Sequence, residues 1–223
     1  MTTNENKEVF LLSNGDVQIR SSINSDIENY VRWHTVETEW LKQDSPWDDH
    51  QSDPDEIRER LTRIMSRPKP DVWRRLQICV EEQVHIGSVS EYIKEIDGEE
   101  RRYIGIFIGE KDHWGKGMGE KALKLWLAYL FNTTGDLSLY CGTWSGNIGM
   151  VKLADRCGFV EIERKKDLRQ VNGKNYDGLA FKLDKAKFVE NNRQLMQNVQ
   201  ERLPVTPNEA YASMTQPVTR QDS

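Results

Sequence analysis

The spacing of apolar and polar positions in the first seventy residues predicts one strand followed by two helices. Residues 16–21 alternate between apolar and polar, which is typical of a strand with one buried face. In the next segment apolar residues recur at helical spacing, and Ser25 with Glu28 has the spacing of a capping box. After an irregular, tryptophan-rich stretch, Asp53 and Pro54 are typical of the N-cap and the first position of a second helix.

The middle of the chain has the composition of strands. Residues 72–80, 84–96 and 101–108 are rich in β-branched and aromatic side chains. The dipeptide Asp97–Gly98, between the second and third of these segments, is favoured in tight hairpins. We therefore expect three consecutive strands with antiparallel connections.

The last part of the domain alternates helices and strands before a closing hairpin. An apolar stripe at helical spacing predicts a helix from about Gly117. A strand and a short helix that stops at Gly158 are predicted next. The final strands flank Asn172–Gly173, the strongest hairpin signal in the chain. The predicted bounds are 137–144 for the strand, 147–157 for the short helix, and 159–168 and 176–183 for the closing strands.

The order of these elements predicts the fold class. Three antiparallel strands, a βαβ crossover and a hairpin indicate an α+β fold, with a mixed, mostly antiparallel central sheet of about seven strands and flanking helices. A doubly wound Rossmann fold does not fit this order. The domain would span residues 1–184. A helix at 185–203 would either cap the domain or join a partner subunit as a homodimer, and the composition of 204–223 predicts a disordered tail.

Composition narrows the classes of function. The chain has 223 residues and a net charge of −5, so a basic surface for nucleic acid is not expected. Three widely spaced cysteines without a CxxC pair argue against a disulfide framework, and no spacing of His or Cys is typical of zinc. The N-terminus lacks the pattern of a signal peptide, and no apolar run is long enough for a membrane span. We expect a cytoplasmic protein with no metal, no nucleic-acid partner and no membrane partner.

The segment HWGKGMGEKAL, at residues 113–123, places three glycines before a predicted helix. Because Gly115, Gly117 and Gly119 have no Cβ atoms, successive amide N–H groups can turn inward. The helix adds its unpaired amides and the positive end of its dipole, which together bind phosphate or pyrophosphate. Lys116 would add a positive charge. A P-loop is excluded because no Ser or Thr follows the GK pair as that motif requires, and the GxGxG spacing departs from the dinucleotide fingerprint.

A second motif stands in register with this loop. It is NIGMVKLADRCGF, from Asn147 to Phe159, one helix and one strand further along the chain. Together with the strand and loop YIGIFIGEKDHWGKGMGEKAL, it resembles the GNAT superfamily of acyl-CoA-dependent N-acetyltransferases. Trp114 replaces the usual Gln or Arg, in a loop variant similar to that of ribosomal-protein and polyamine N-acetyltransferases. The resemblance covers residues 16–184.

This resemblance implies acetyl-CoA as the co-substrate. The amides of residues 115–120 would hold the pyrophosphate. The strand end near Phe107 and Ile108 would pair with the pantetheine arm by strand addition, and Asn147 would hydrogen-bond the same arm. The implied cofactor-binding residues are Phe107, Ile108, Trp114, Gly115, Lys116, Gly117, Met118, Gly119, Glu120 and Asn147.

The familiar acid and base positions of the superfamily hold other residues in this chain. Ala154 stands where many members have a proton-donating Tyr, and Met150 stands where some have Ser. The remaining candidates are Glu91, as a base facing the cleft, and Tyr140 or Ser145, as proton donors beside the cofactor strand. Each of the three also fits a purely structural role.

The implied function is acetyl transfer from acetyl-CoA to a primary amine by direct attack in a ternary complex. The acceptor would be a protein N-terminus, a polyamine or a small-molecule amine. It would enter near the tryptophan-rich segment 33–47 and the last hairpin. The acidic balance of the chain favours a cationic acceptor. The alternative is an acyl-CoA-binding sensor or interaction module without catalysis, which the departures from the family pattern favour.

Overall fold

The computed structural model describes residues 9–81, 83–135 and 137–203. The tail predicted at 204–223 lies outside these residues. The described part contains an eight-stranded sheet with the order β1-β2-β3-β4-β5-β6-β8-β7. Only β5 and β6 pair in parallel, and all other neighbours are antiparallel. The strands are β1 (Leu11–Asn14), β2 (Val17–Arg20), β3 (Arg75–Val80), β4 (Val84–Ile96), β5 (Glu99–Ile108), β6 (Leu139–Trp144), β7 (Phe159–Val171) and β8 (Lys174–Leu183).

Helices accompany the sheet in the order that the sequence predicts, and the α+β fold class is confirmed. A single 3₁₀ turn at Lys111–His113 precedes the glycine loop. The helices are α1 (Asp26–Thr35), α2 (Glu39–Asp44), α3 (Pro54–Met65), α4 (Met118–Thr134), α5 (Ile148–Arg156), α6 (Lys185–Asn191) and α7 (Arg193–Gln200). None of the helices in the described residues is both long enough and apolar enough to cross a membrane.

The sequence predictions for turns and helix caps are confirmed at three places and wrong at one. Asp53 caps α3 by accepting a hydrogen bond from the amide of Asp55 at 2.8 Å. Both predicted hairpins have the expected left-handed pair, at Asp97–Gly98 and at Asn172–Gly173. The predicted capping box of α1 is wrong, because Ser25 itself has helical torsion angles and its side chain makes no capping bond.

Three elements differ from the sequence expectation. Strand β1 was not predicted, since only Leu12 of its four residues is buried and no alternation shows. Helix α2 was not predicted either, because six residues are too few to show a period. The segment 185–203 forms two helices, which break at Asn192. Helix α7 packs on α4, and Phe188 and Val199 belong to the core, so this segment caps the domain.

Helix α4 forms the centre of the core on one face of the sheet. Every apolar residue of its predicted stripe is buried, and all eight strands of the sheet contribute side chains to this core. Cys141 and Cys157 lie in the same core, and burial raises the pKa of the Cys157 thiol to about 12. The three cysteines are free and buried, which makes them poor nucleophiles.

The opposite face of the sheet carries α1 and α3. Side chains alternate between the faces of a strand, so Ser88, Ser90 and Tyr92 of β4 lie on the α1 face, whereas Val89 lies in the α4 core. The packing between α1, α3 and the sheet involves a small cluster of buried residues, joined by Phe107 of β5. The cluster contains Tyr30, Val31 and Ile57.

The parallel pairing of β5 with β6 is short. It comprises only Arg102 with Leu139 and Tyr103 with Tyr140. Strand β5 continues along β4 to Ile108, while β6 continues along β8. The two strands therefore part, and a wedge opens in the middle of the sheet.

A buried ion pair joins β2 to the start of α1. The guanidinium of Arg20 donates to both carboxylate oxygens of Asp26, each at 2.7 Å, and both side chains are only 3% exposed. Asp26 also accepts from the amide of Ile23 at 2.8 Å, and Nδ1 of His85 lies 3.2 Å from its other oxygen. The pair therefore fixes the first turn of α1 against the sheet.

We expect Asp26→Ala to destabilise the protein by about 3–5 kcal/mol, because the Arg20 charge would stay buried without its partner. Urea unfolding followed by tryptophan fluorescence measures the change. Asp16→Ala is the control, since the ion pair of Asp16 with Lys121 is exposed and should have little effect. Equal destabilisation by both substitutions would contradict the role assigned to the buried pair.

Candidate active site

The wedge between β5 and β6 opens into a cleft with a volume of about 860 Å³ that runs through the sheet. One end, called here the loop half, lies against the glycine loop and α5. The other end, called the α2 half, lies between α1, α2, α3 and the sheet. The residues that line the loop half include Ile108, Trp114, Gly115, Gly117, Met118, Gly119, Glu120, Asn147 and Met150. The α2 half is lined by Tyr30, His34, Trp40, Gln43, Asp44, Arg60, Arg75, Ser88, Ser90, Tyr92 and Phe107.

The glycine loop has the conformation of an open cradle. Gly115 and Gly117 have φ values of +72° and +81°, which favour glycine, and no atom lies within 4 Å of the position of an added Cβ. Gly117 is the N-cap of α4. The first intrahelical donor is the amide of Lys121, bonded to the Gly117 carbonyl, so the amides before it point out of the helix unpaired. An anion fits here, as the sequence predicts.

Side chains at the edges of the loop half hold its shape. The indole Nε1 of Trp114 donates to the Ile108 carbonyl at 2.8 Å and ties the loop to the end of β5. Asn147 is the N-cap of α5, and its Oδ1 accepts from the amide of Met150 at 3.0 Å. The Nδ2 group of Asn147 has no partner among the described residues and can donate to a ligand. Lys116 does not line the cleft.

Aromatic rings form the wall of the α2 half. Trp40 stacks on Phe107 with ring centroids 4.3 Å apart, and His34 meets the edge of Trp40 at 5.1 Å. The other tryptophans of this segment lie elsewhere. Trp33 is fully buried against Gly109, and Trp47 packs on Trp144.

His34 is a functional candidate that the sequence did not reveal. Its Nδ1 lies 2.8 Å from the Tyr30 carbonyl, which can only accept, so Nδ1 carries the proton and Nε2 is the free base. Nε2 has no partner among the described residues. Burial lowers the pKa of His34, and the charges of Arg60 and Arg75 lower it further. The imidazole is therefore neutral at pH 7. Helical spacing placed His34 in an apolar stripe, and nothing local marks it as a base.

The α2 half also carries charge. Asp44 is its one carboxylate among the described residues, and Arg60 and Arg75 are its cations. Asp44 remains accessible from the open cleft, yet the surrounding protein desolvates it enough to raise its pKa above the ordinary value. Burial raises the pKa of Tyr92, and the charge of Asp44 raises it further, so the two residues lie near each other.

The structure does not bring the predicted acid and base candidates into the cleft. Glu91 lies on the α4 face of β4, where its buried carboxylate pairs with Arg74 and Arg102. Tyr140 belongs to the paired part of β6 and stacks on Tyr103 at 5.7 Å, away from the wedge. The prediction for Glu91 failed because one residue along a strand decides which face a side chain occupies.

Ser145 joins the end of β6 to β8. Its Oγ accepts from the amide of Asp177 at 2.9 Å, and its own amide donates to the Asp177 carbonyl at 2.8 Å. It does not line the cleft. The cleft is lined, in contrast, by most of the predicted cofactor-binding residues, and their binding of the co-substrate stays a prediction. They are Phe107, Ile108, Trp114, Gly115, Gly117, Met118, Gly119, Glu120 and Asn147.

Comparison with protein families gives one match. The model described as Acetyltransferase (GNAT) domain matches residues 16–160, which is more than half of the chain. No curated protein sequence matches.

Solved structures of acetyltransferases share the fold at low sequence identity. RimL, a ribosomal-protein alpha-N-acetyltransferase in complex with coenzyme A, is 16% identical with a TM-score of 0.61, over 78% of this chain and 97% of that chain. A spermidine N-acetyltransferase from Vibrio cholerae in complex with CoA and spermine is 20% identical with a TM-score of 0.62, over 79% and 99%. A ribosomal-protein alanine acetyltransferase from Vibrio fischeri is 18% identical with a TM-score of 0.61, over 78% and 95%.

We expect the imidazole of His34 to titrate with a pKa below the ordinary value of about 6.5, and to carry its neutral proton on Nδ1. Arg60→Gln should raise this pKa, because it removes a nearby positive charge. Histidine NMR as a function of pH measures both effects. Arg63→Gln, on the same helix but outside the cleft, is the control and should leave the titration unchanged. A neutral proton on Nε2 would contradict the assignment.

Proposed function

The chain belongs to the acetyltransferase (GNAT) family, whose members use acetyl-CoA as co-substrate, and on this premise we propose that its acceptor amine binds in the α2 half and gives up its proton to His34. The observation that carries the proposal is the cleft itself. It joins an anion-binding loop to a pocket with a free base through the gap between β5 and β6.

The loop half fits the co-substrate. Acetyl-CoA supplies an activated acetyl thioester when bound. The unpaired amides of the loop and the start of α4 would hold its pyrophosphate. The β5 edge that has lost β6 offers backbone groups to the pantetheine arm, and the Asn147 amide offers a donor. Glu120 already has Lys124 and Arg156 as partners, which limits its repulsion of the phosphates.

Helix α1 positions the base in the α2 half. The carbonyl of Tyr30 fixes the orientation and tautomer of His34, so Nε2 is available to accept a proton from the acceptor. The groups that face the ring are Arg60 from α3, Arg75 from β3 and His50 from the segment after α2. Burial and the positive charges of Arg60 and Arg75 keep the imidazole unprotonated. Stacked Trp40 and Phe107 would orient the apolar part of the acceptor.

Direct transfer of the acetyl group to the acceptor amine is consistent with the positions of the cysteine thiols. The three cysteines are buried, and none of them lines the cleft. The pKa of Cys79 is raised to about 11 by burial, so its thiolate is scarce at pH 7. The acceptor amine would therefore attack the thioester carbonyl without a covalent enzyme intermediate. The new amide C–N bond would replace the C–S bond, and the proton taken up by His34 would pass to the departing thiolate. A free base in the cleft favours this function over a binding module without catalysis.

Gly117→Asp should abolish binding of acetyl-CoA, because it places a carboxylate where the loop amides face the pyrophosphate. Calorimetric titration with acetyl-CoA measures the affinity. Gly173→Asp is the matched control, since Gly173 has a similar positive φ and equally open surroundings on a distant hairpin. Unchanged affinity in the Gly117 variant would refute the assignment of the loop.

His34→Gln should lower kcat by ~10²-fold or more, since it removes the proton acceptor. In the unsubstituted protein, kcat/KM should rise with pH through a pKa below about 6.5 as the imidazole loses its proton. The substitution should remove this limb of the profile while acetyl-CoA still binds. Arg63→Gln, an exposed residue of α3 outside the cleft, is the control. A His34 variant with full kcat would rule out the imidazole as the base.

A further inference from the structure

We infer that the acceptor amine also carries an anionic group, a carboxylate or a phosphate, which is recognised by Arg60 and Arg75. The inference rests on the proposed function, because it concerns the same cleft. It runs against the expectation from the net charge of the chain, which favours a cationic acceptor.

Arg75 lies directly on the floor of the α2 half. It is the first residue of β3 and pairs with Ser90 of β4, which pairs in turn with Gly105 of β5. Directly paired residues share a face of the sheet, so Arg75, Ser90 and Gly105 form a row that ends at the wedge. The guanidinium therefore lies on the acceptor side of the gap.

Arg60 reaches the same space from α3. Both guanidinium groups lower the pKa of His34, so both charges act at the base. Neither of them lies within 4.0 Å of a carboxylate among the described residues. Two other arginines of α1 and α3, which do not line the cleft, do have carboxylate partners. Arg58 of α3 pairs with Glu28 and Asp55, and Arg32 of α1 pairs with Glu37 and Glu110.

The charges of the α2 half complement a zwitterion. Two unpaired guanidinium groups match an anion, and guanidinium binds carboxylate or phosphate oxygens through paired donors. The single carboxylate, Asp44, is free to attract the ammonium group. A polyamine would meet two like charges here and only one partner, and like charges in a partly desolvated cleft are repulsive. The charges that line the α2 half, not the net charge of −5 of the whole chain, determine this preference for a zwitterionic acceptor.

The experiment compares acceptors that have an anionic group with matched acceptors that lack it. The pairs are phenylalanine with phenylalaninamide, O-phosphoethanolamine with ethanolamine, and the C-terminally amidated peptides Ala-Glu-Glu-Ala with Ala-Gln-Gln-Ala. Spermidine is the cationic acceptor. We expect kcat/KM to be about tenfold or more higher for the anionic member of at least one pair, and to exceed that for spermidine. The pair that responds distinguishes an amino-acid carboxylate, a phosphate and an acidic peptide.

Substitution of the arginines tests the cause of the preference. Arg60→Gln/Arg75→Gln should abolish the difference in kcat/KM between the two members of the responding pair, mainly through KM. Arg63→Gln, an exposed arginine of the same helix outside the cleft, should keep the preference. Added salt should reduce the preference in the unsubstituted protein.

Two results overturn the inference: spermidine or the uncharged members are preferred, or the double substitution leaves the preference intact. If no amine is acetylated although acetyl-CoA binds, the proposed function fails. Calorimetric titration with the same pairs then measures, without catalysis, whether the cleft prefers the anionic member. Equal affinity for both members of every pair would overturn the inference without reference to catalysis.

Discussion

The pairing between β5 and β6 ends after two residue pairs, and the rest of the site depends on that limit. Each strand keeps a full antiparallel partner on its other side, β4 for β5 and β8 for β6. The gap therefore exposes only one edge of each strand. Gly87 of β4 allows β5 to approach closely at the open end, because a Cβ atom at this position would lie 2.1 Å from the Phe107 carbonyl oxygen. The sheet can thus stay open at its centre without losing its continuity.

Backbone groups and side chains have different roles on the two sides of this gap. On the loop side, the proposed binding of the co-substrate relies on amides that glycine and the start of α4 leave unpaired, which is a recognition mode tolerant of sequence change. On the α2 side, the proposed specificity comes from side chains on four separate elements, namely His34, Asp44, Arg60 and Arg75. This division explains how the fold is shared at 16–20% identity with acetyltransferases that act on different amines.

Periodicity and turn chemistry were sufficient to predict the fold class, because both hairpins and the glycine loop are local features. The conformation of the loop half was predictable for the same reason, since the positive φ of Gly115 and Gly117 and the cap at Asn147 are features of the local backbone. The α2 half was not predictable. Glu91 lies on the other face of β4, where Arg74 and Arg102 neutralise it. The base proposed at His34 depends on burial and on the charges of Arg60 and Arg75, which lower its pKa and come from elements far apart in the chain.

Helix α1 links the most buried ion pair in this region to the imidazole at its other end. Asp26 occupies the first turn and His34 the last, and their separation of eight positions corresponds to about 12 Å of rigid rod. A rod fixed at one end transmits a small change in angle there as a larger displacement at the other. Homologous chains that alter the Arg20–Asp26 contact should therefore differ in turnover even when every residue that lines their cleft is the same.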